Sequence, residues 1–158
     1  MFGLTRKDIS DSVVFYFLNI ENYSKEFIQL MDSEICKIWN GDEEQESDIT
    51  LVKLQIKNFI KNKSEKQKHG IVAEFICHLF LRSIDYKQHF LFQNLEEASL
   101  KKGFDGLYKK DEEMWLFESK STHNNNTSHE IKINEAYTDL KAKIENINPD
   151  TGYNPWRN

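Results

Sequence analysis

Residues 103–120 decide the fold, and they read GFDGLYKKDEEMWLFESK. Two runs, 104–109 and 114–121, are rich in the aromatic and aliphatic residues that are typical of strands. The polar Lys-Asp-Glu-Glu between them predicts a tight turn. The stretch is therefore predicted to form an antiparallel hairpin.

Two carboxylates meet in this hairpin. With the turn centred on Asp111 and Glu112, antiparallel pairing places Asp105 directly opposite Glu118. Opposed side chains have Cβ atoms roughly 5 Å apart, and like charges there destabilise a sheet, so we expect the two acids to repel and to need a nearby cation. Lys120 lies two residues beyond Glu118 and therefore on the same face.

The opposite face of the hairpin is predicted to be core, because it carries four aromatic side chains: Phe104, Tyr108, Trp115 and Phe117. Two alternatives stay open. Asp105-Gly106 is itself a two-residue hairpin signal, which would make Asp105 a turn residue. Glu118 and Lys120 could instead form an exposed strand edge.

A third acid lies in an apolar helix. Residues 71–82, IVAEFICHLFLR, are apolar almost all round, which predicts a helix buried against other elements. Glu74 lies inside it, and a buried glutamate is rare without a partner. That partner is either a metal ion or a cation such as His78, one turn further on.

Acids and a lysine that converge at strand ends suit the hydrolysis of phosphodiester bonds. Carboxylate oxygens are hard ligands for Mg²⁺ or Mn²⁺, and such an ion neutralises phosphate charge and lowers the pKa of a bound water. A nearby ammonium group can orient that water and stabilise the developing charge. The residues therefore predict a metal-dependent nuclease.

A known family shows this arrangement. Gly-Phe-Asp105, then Glu118-Ser-Lys120 after twelve residues, with Glu74 on a preceding helix and another helix behind, resembles the PD-(D/E)XK nuclease superfamily. The resemblance covers residues 65–146. It implies an α/β fold with a restriction-endonuclease-like core of helix, three strands and helix.

The resemblance also implies a role for each site residue. Asp105 and Glu118 would be metal ligands, Glu74 an accessory ligand and the Ser119 carbonyl a further one. Lys120 would be the base that positions the attacking water. The expected cofactor is Mg²⁺ or Mn²⁺.

The same stretch resembles, more narrowly, the nuclease subunits of Hachiman-type bacterial defence systems. This implies cleavage of DNA, or of RNA, in phage defence, restriction or repair, with a helicase as protein partner. The family core has a fourth strand after its last helix, but residues 147–158 hold both prolines and show no strand pattern. We expect an irregular tail there and a core that is cut short.

The N-terminal part is predicted to be an acidic helical region spanning residues 1–48. Residues 5–8 resemble a capping box before the apolar run VVFYFLNI, and Ser24 opens a second helix. The acidic run 41–48 is interpreted as a solvated linker. Direct contact of this region with DNA is not expected, because its charge is negative.

Residues 49–146 form the predicted nuclease core. Its first helix stacks Lys53, Lys57 and Lys61 at intervals of four, which is either a solvated face or a nucleic-acid-binding edge. On its last helix, Tyr137 and Lys141 share one side, either to contact substrate or as an ordinary amphipathic pair.

Composition favours a folded cytoplasmic protein. Apolar residues make up 39% and charged residues 30%, which is a globular composition. Cys36 and Cys77 lie in apolar stretches and predict free thiols in a reducing compartment. No apolar run approaches the roughly 18 residues that a membrane span needs. The net charge of −5 is unevenly distributed, because residues 1–50 hold eleven acids and four bases, whereas residues 51–158 hold fifteen acids and seventeen bases. The overall negative charge therefore does not exclude nucleic-acid binding by residues 51–158.

Three functions are compatible with these residues. The leading hypothesis is the metal-dependent nuclease, as a monomer or a homo-oligomer. The second is a catalytically inert module on the same fold that binds nucleic acid or a partner protein. The third is a structural interaction domain in which Lys120 compensates the acid pair.

Overall fold

The computed structural model describes residues 3–42, 47–89, 104–124 and 126–145. Within these ranges the chain is mixed α/β, with four helices and two small antiparallel sheets. It divides into two compact units, Met1–Ser33 and Glu34–Asn158. Helix α1 (Lys25–Asn40) begins in the first unit and ends in the second.

The first unit opens with a hairpin. Strand β1 (Gly3–Ser10) pairs antiparallel with β2 (Val13–Asn19), and the pairing is irregular between Asp8 and Ser10. The helix predicted for VVFYFLNI is therefore wrong, and so is the capping box at residues 5–8. A short apolar run does not by itself distinguish helix from strand, and the β-branched and aromatic residues of this one favour the strand.

The second predicted helix of the N-terminal region is confirmed as α1. Ser24 caps it, because its Oγ accepts a hydrogen bond of 3.2 Å from the amide of Phe27. The N-terminal region is thus a hairpin followed by a helix, and not wholly helical.

The elements of the second unit follow the predicted order. After α1 come α2 (Ile49–Lys61), α3 (Glu65–Ser83), β3 (Lys87–Gln88), β4 (Gly106–Lys110), β5 (Glu113–Phe117) and α4 (His129–Glu145). From α3 onward this is helix, strand, strand, strand, helix. The three strands form one antiparallel sheet in the order β3, β4, β5.

Two sequence predictions fall largely outside the described residues. The apolar stretch HFLFQ, residues 89–93, predicts the first of the three strands, whereas the structure has β3 just before it and describes only residue 89 of that run. The irregular tail expected at 147–158 lies wholly outside. The restriction-endonuclease-like character of the core therefore stays a prediction.

Side-chain caps fix where α2 and α3 begin. Asp48 accepts from the amide of Thr50 at 2.7 Å at the start of α2. Ser64 and Gln67 form a reciprocal capping box at the start of α3. Each cap satisfies amides that have no partner within the helix.

The core of the second unit lies between α3 and the sheet. Leu79 and His78 of α3 and Tyr108 of β4 are almost wholly buried, and the Tyr108 hydroxyl is hydrogen-bonded to Nδ1 of His78. Burial raises the pKa of the Tyr108 hydroxyl. Trp115, predicted to be core, shares the face of Tyr108 but is 45% exposed. It lies on the edge strand β5, edge-on against Tyr86.

An ion-pair network joins α3 to the end of α1. The buried guanidinium of Arg82 donates to Glu34 at 2.7 Å and to both carboxylate oxygens of Asp42 at 2.7 and 2.8 Å. Burial opposes ionisation of Asp42, but the bonds from Arg82 outweigh it and lower the pKa of the carboxyl. The first acid of the expected solvated linker is thus a structural partner.

Both cysteines, Cys36 and Cys77, are free thiols, as predicted. Burial raises the pKa of the Cys77 thiol to about 11. Among the described residues no helix combines the length and the apolar character needed to cross a bilayer.

Candidate active site

The hairpin that carries the motif has the predicted register. Gly106 pairs with Phe117 and Lys110 with Glu113, across a turn at Asp111 and Glu112. Asp111 has a φ of 54°, a left-handed conformation that Asp tolerates in tight turns. The ladder therefore ends one residue short of Asp105 and Glu118, which leave the strands side by side.

Gly106 lies in strand β4, so the alternative in which Asp105-Gly106 forms the turn is wrong. A Cβ at this position would lie 3.1 Å from the Tyr108 ring, 3.2 Å from the Phe117 ring and 3.4 Å from the His78 ring. A side chain here would fit only if these rings shifted by a few tenths of an ångström. The glycine of Gly-Phe-Asp-Gly therefore lets β4 approach α3 closely beside the acids.

Asp105 is held by Ser119. Its Oδ2 accepts hydrogen bonds from the Ser119 amide at 2.6 Å and from the Ser119 hydroxyl at 2.8 Å. The sequence predicted a role for the Ser119 carbonyl and missed the hydroxyl. The two bonds fix the aspartate against the segment that follows β5.

Glu118 is compensated by two lysines. Its side chain is only 2% exposed; Oε1 accepts from Lys120 Nζ at 2.7 Å, and Oε2 accepts from Lys143 Nζ at 2.6 Å. The exposed-edge alternative is therefore wrong. The cation expected beside this pair of acids is present, and each acid also has its own hydrogen-bond donors.

Lys120 has a second acidic partner on α4, Asp139, whose Oδ2 lies 2.6 Å from its Nζ. Burial alone would lower the pKa of Lys120, but the hydrogen bonds to Asp139 and Glu118 outweigh it and raise the pKa above its ordinary value. Lys120 is therefore an ammonium group at neutral pH. It can orient a water or stabilise negative charge, but in this arrangement it does not serve as a proton acceptor.

Glu74 is buried on α3, as predicted. Its Oε1 lies 3.7 Å from Nε2 of His78, so the expected neighbour is present. Burial is the largest influence on its carboxyl and raises the pKa; the interaction with His78 opposes this, and the charges of Asp105 and Glu118 add to it. Glu74 thus shares one electrostatic environment with both other acids.

An open cleft of about 330 Å³ brings most of these residues together. Its described lining residues come from the α2–α3 junction, α3 and the segments flanking the hairpin: Lys63, Gln67, Gly70, Ile71, Glu74, Asp105, Ser119, Lys120 and Ser121. Three of the four predicted catalytic residues line it. Glu118, the fourth, lies behind Lys120 and is not among the lining residues.

The donor set suits a magnesium ion. Glu74 and Asp105 present carboxylate oxygens to one cleft, and Mg²⁺ is commonly held by one or two carboxylates while it keeps several waters. Among the described residues no group of three or more His, Cys, Asp or Glu side chains is arranged to hold a metal ion. Ligation by Glu118 would require one of its lysines to move.

The predicted lysine stripe is separate from the cleft. Lys53, Lys57 and Lys61 are exposed on α2 and do not line it, whereas Lys63, which the sequence did not single out, does. Tyr137 and Lys141 line a different groove on α4, together with Leu116, Leu140, Ile144 and Glu145.

The residues of α4 that contact the site are Asp139 and Lys143, and sequence reasoning missed both. They lie four residues apart and so share one helical face, two positions away from the face of Tyr137 and Lys141. The available signal was the charge alternation along this helix. The sequence did not show which face turns towards the hairpin.

The family model HamA matches residues 4–154 of the chain. This match includes every site residue described above. Searches of curated proteins and of solved structures found no match.

Proposed function

The chain belongs to the HamA family, which is associated with phage defence, and we propose that it is a divalent-metal-dependent nuclease that hydrolyses phosphodiester bonds of DNA or RNA. The observation that carries the proposal is the convergence of Glu74, Asp105 and Lys120 on one open cleft. Two carboxylates and an ammonium group suit this chemistry, because Mg²⁺ is usually held by one or two carboxylates and keeps several waters.

Each residue of the site has its own proposed role, which follows from its surroundings. Glu74, Asp105 and Glu118, with the backbone carbonyl of Ser119, would hold Mg²⁺ or Mn²⁺, Glu118 once one of its two lysines has withdrawn. The ion supplies charge neutralisation and an acidified water when bound. Ser119 keeps the Asp105 carboxylate oriented through its two hydrogen bonds. Lys120 points an ammonium group into the cleft, where it would orient the attacking water and stabilise the negative charge that develops on the phosphate.

Lys63 extends the positive charge along the cleft. It lies at the mouth formed by the α2–α3 junction, with Gln67 one turn into α3. An ammonium and an amide there suit the phosphates that flank the bond to be cut. The cleft is open rather than enclosed, which suits a polymeric substrate.

One observation favours a second function, that of a structural interaction domain. The Glu118–Lys120 ion pair is what a structural interaction domain would use to compensate a buried acid. A structural pair, however, does not require Glu74 and Asp105 in an adjoining cleft, where the charge of Asp105 makes ionisation of Glu74 harder. An inert module would bind nucleic acid without cleaving it, so a measurement of turnover distinguishes it from the enzyme.

The deciding experiment is a cleavage assay on plasmid and on single-stranded DNA and RNA, in Mg²⁺, in Mn²⁺ and in EDTA. We expect cleavage that requires the divalent cation and is absent from the Asp105→Asn variant. Metal-independent binding without cleavage would support the inert module. Neither binding nor cleavage would support the structural domain.

The family is associated with a defence system in which partner proteins act together. We propose a helicase as the partner of this chain, on the resemblance of its motif to Hachiman-type nuclease subunits. We place the protein in the cytoplasm, which agrees with its two free cysteines. Self-association into a homo-oligomer is compatible with this proposal, and the mass in solution tests it.

Loss of Glu74 should weaken metal binding less than loss of Asp105. In Glu74→Gln the amide oxygen or a water can replace one ligand, and the variant is relieved of a buried charge. Asp105→Asn removes the charge of the carboxylate that Ser119 holds in place. Titration calorimetry with Mn²⁺ measures both affinities, and an equal loss would make Glu74 a ligand of the first rank.

Simultaneous replacement of Lys53, Lys57 and Lys61 by Gln tests the α2 stripe as a nucleic-acid contact. Each lost phosphate contact should reduce the slope of log affinity against log salt by about 0.7 to 0.9. The matched control replaces Lys7, Lys25 and Lys87, which are also exposed, by Gln. Equal slopes for the two triple variants would leave the stripe as a solvated face.

A further inference from the structure

Two ion pairs connect α4 to the residues that follow β5. Asp139 Oδ2 lies 2.6 Å from Lys120 Nζ, and Lys143 Nζ lies 2.6 Å from Glu118 Oε2. The Glu118–Lys120 pair, at 2.7 Å, joins them. The four side chains form a line of alternating charge, Asp139, Lys120, Glu118 and Lys143, which begins and ends on one face of α4.

Lys143 is the part of this line that no catalytic role explains. Its side chain is 22% exposed, its Nζ is aligned on Glu118 Oε2, and the same ammonium lies 5.7 Å from the centroid of the Phe104 ring. Glu118 itself is 2% exposed. A carboxylate buried to this degree needs a cation, and removing one partner of a buried ion pair costs far more than removing one partner of an exposed pair.

Lys120 cannot supply that compensation alone, because it is shared. Its ammonium divides its hydrogen bonds between Glu118 Oε1 and Asp139 Oδ2. The second oxygen of Glu118 has Lys143 as its donor. Both oxygens of Glu118 thus have an ammonium partner, and Glu118 could bind a metal ion through Oε2 only after Lys143 withdraws.

We propose that Lys143 is an internal counter-ion of the metal-free protein, which holds Glu118 until a divalent cation replaces it. The inference rests on the proposed function, because it needs Glu118 to take part in metal binding. An ammonium and a divalent cation at one carboxylate oxygen repel each other, so binding of the cation requires Lys143 to withdraw.

Withdrawal of Lys143 removes one of the two ion pairs that attach α4 to the site. Metal occupancy and the position of α4 are then coupled, and the coupling is reciprocal. Whatever displaces α4 favours the cation, and whatever fixes α4 disfavours it. Lys143 is on this argument a positioning residue that sets the metal affinity of the site and does not act on the substrate.

The test compares Lys143→Met with the matched control Lys141→Met. Lys141 lies on the same helix and is exposed, and within the described part of the chain its ion pair is a long one, 3.9 Å to Glu145. Mn²⁺ affinity is measured by titration calorimetry, and the melting temperature is measured in EDTA. Neither measurement depends on cleavage.

We expect Lys143→Met to bind Mn²⁺ roughly tenfold more tightly than wild type, which corresponds to about 1.4 kcal/mol, and to melt at a lower temperature in EDTA. Lys141→Met should match wild type in both. Lys143→Gln keeps a hydrogen-bond donor beside Glu118 and removes only the charge, so it gives the same comparison in a less perturbed protein. Lys143→Arg, which keeps the charge, should bind Mn²⁺ as wild type does.

Two results would overturn the inference and are distinguishable. If wild type, Lys143→Met and Lys143→Gln all bind Mn²⁺ with the same affinity, the counter-ion role is wrong and the metal site stands. If none of them binds Mn²⁺, the metal site itself is wrong, and the proposed function fails together with the inference.

Discussion

Replacement of Lys120 by Met is expected to abolish cleavage while the protein still binds metal and nucleic acid. Lys120 is the ammonium group that lines the cleft beside Glu74 and Asp105, and it is not itself a ligand. A donor that stabilises the charge developing in the transition state typically contributes a factor of about 10² to 10³ in rate. The expected loss is of that order in the turnover number.

The structure also indicates that this variant will fold. Without Lys120, Glu118 keeps its bond from Lys143, and the side chain of Asp139 is 49% exposed and can be solvated. The matched control is Lys109→Met on the same hairpin, which removes an exposed pair with Glu112 and should cut at the wild-type rate. A folded Lys120→Met protein that cuts like wild type would contradict the role assigned to this lysine.

The parts of the fold that could be predicted from sequence are those set by local patterns. The hairpin register followed from the placement of a polar turn at Asp111 and Glu112, which fixes every pair behind it. The helices α1 to α4 followed from apolar periodicity, and the start of α1 from its cap, Ser24. These signals lie within a few residues of the structure that they specify.

The failures have two physical causes. The run VVFYFLNI is too short to show a period, so the helix predicted there is a strand, β2, that depends on pairing with β1. Trp115 lies on the predicted face of β5, but the sequence does not show how far the rest of the second unit covers that face of the sheet. Both outcomes are set by contacts with other segments.

The residues of the candidate site also fall into two groups, those that a local sequence pattern identifies and those whose role depends on contacts with another segment. Asp105, Glu118 and Lys120 could be found because one hairpin brings them together, and Glu74 because an acid in an apolar helix stands out. Asp139 and Lys143 could not, because their role depends on which face of α4 lies against the site. Tyr137 and Lys141 have an equally regular spacing and lie in another groove.

The contacts of Glu118 in the structure reverse an expectation about the stability of a Glu118 variant. The sequence alone predicts that Asp105 and Glu118 repel, so that a Glu118→Gln protein would be at least as stable as wild type without metal. In the structure, Glu118 is buried between Lys120 and Lys143, while Asp105 is bonded to Ser119. Removal of the Glu118 charge therefore leaves two ammonium groups without their shared partner.

Glu118→Gln is accordingly expected to be destabilised in EDTA. The loss of one partner from a buried ion pair costs about 3 to 5 kcal/mol, and because the two lysines keep 26% and 22% exposure, water will reduce that cost. A loss of about 2 kcal/mol should lower the melting temperature by roughly 4 to 8 °C in a domain of this size. Glu112→Gln, at a side chain that is 95% exposed in the same hairpin, is the control and should melt as wild type does.

The same melting experiment, repeated with a divalent cation, distinguishes the nuclease from the structural domain. A cation that binds only the folded state at a hundredfold excess over its Kd stabilises by about 2.7 kcal/mol, so Mn²⁺ should raise the melting temperature of wild type by several degrees. In Glu118→Gln most of that rise should disappear, because a ligand is lost and both lysines remain. A wild-type protein that does not respond to Mn²⁺, beside a destabilised Glu118→Gln, would make the Glu118 ion pairs structural and the proposed nuclease site wrong.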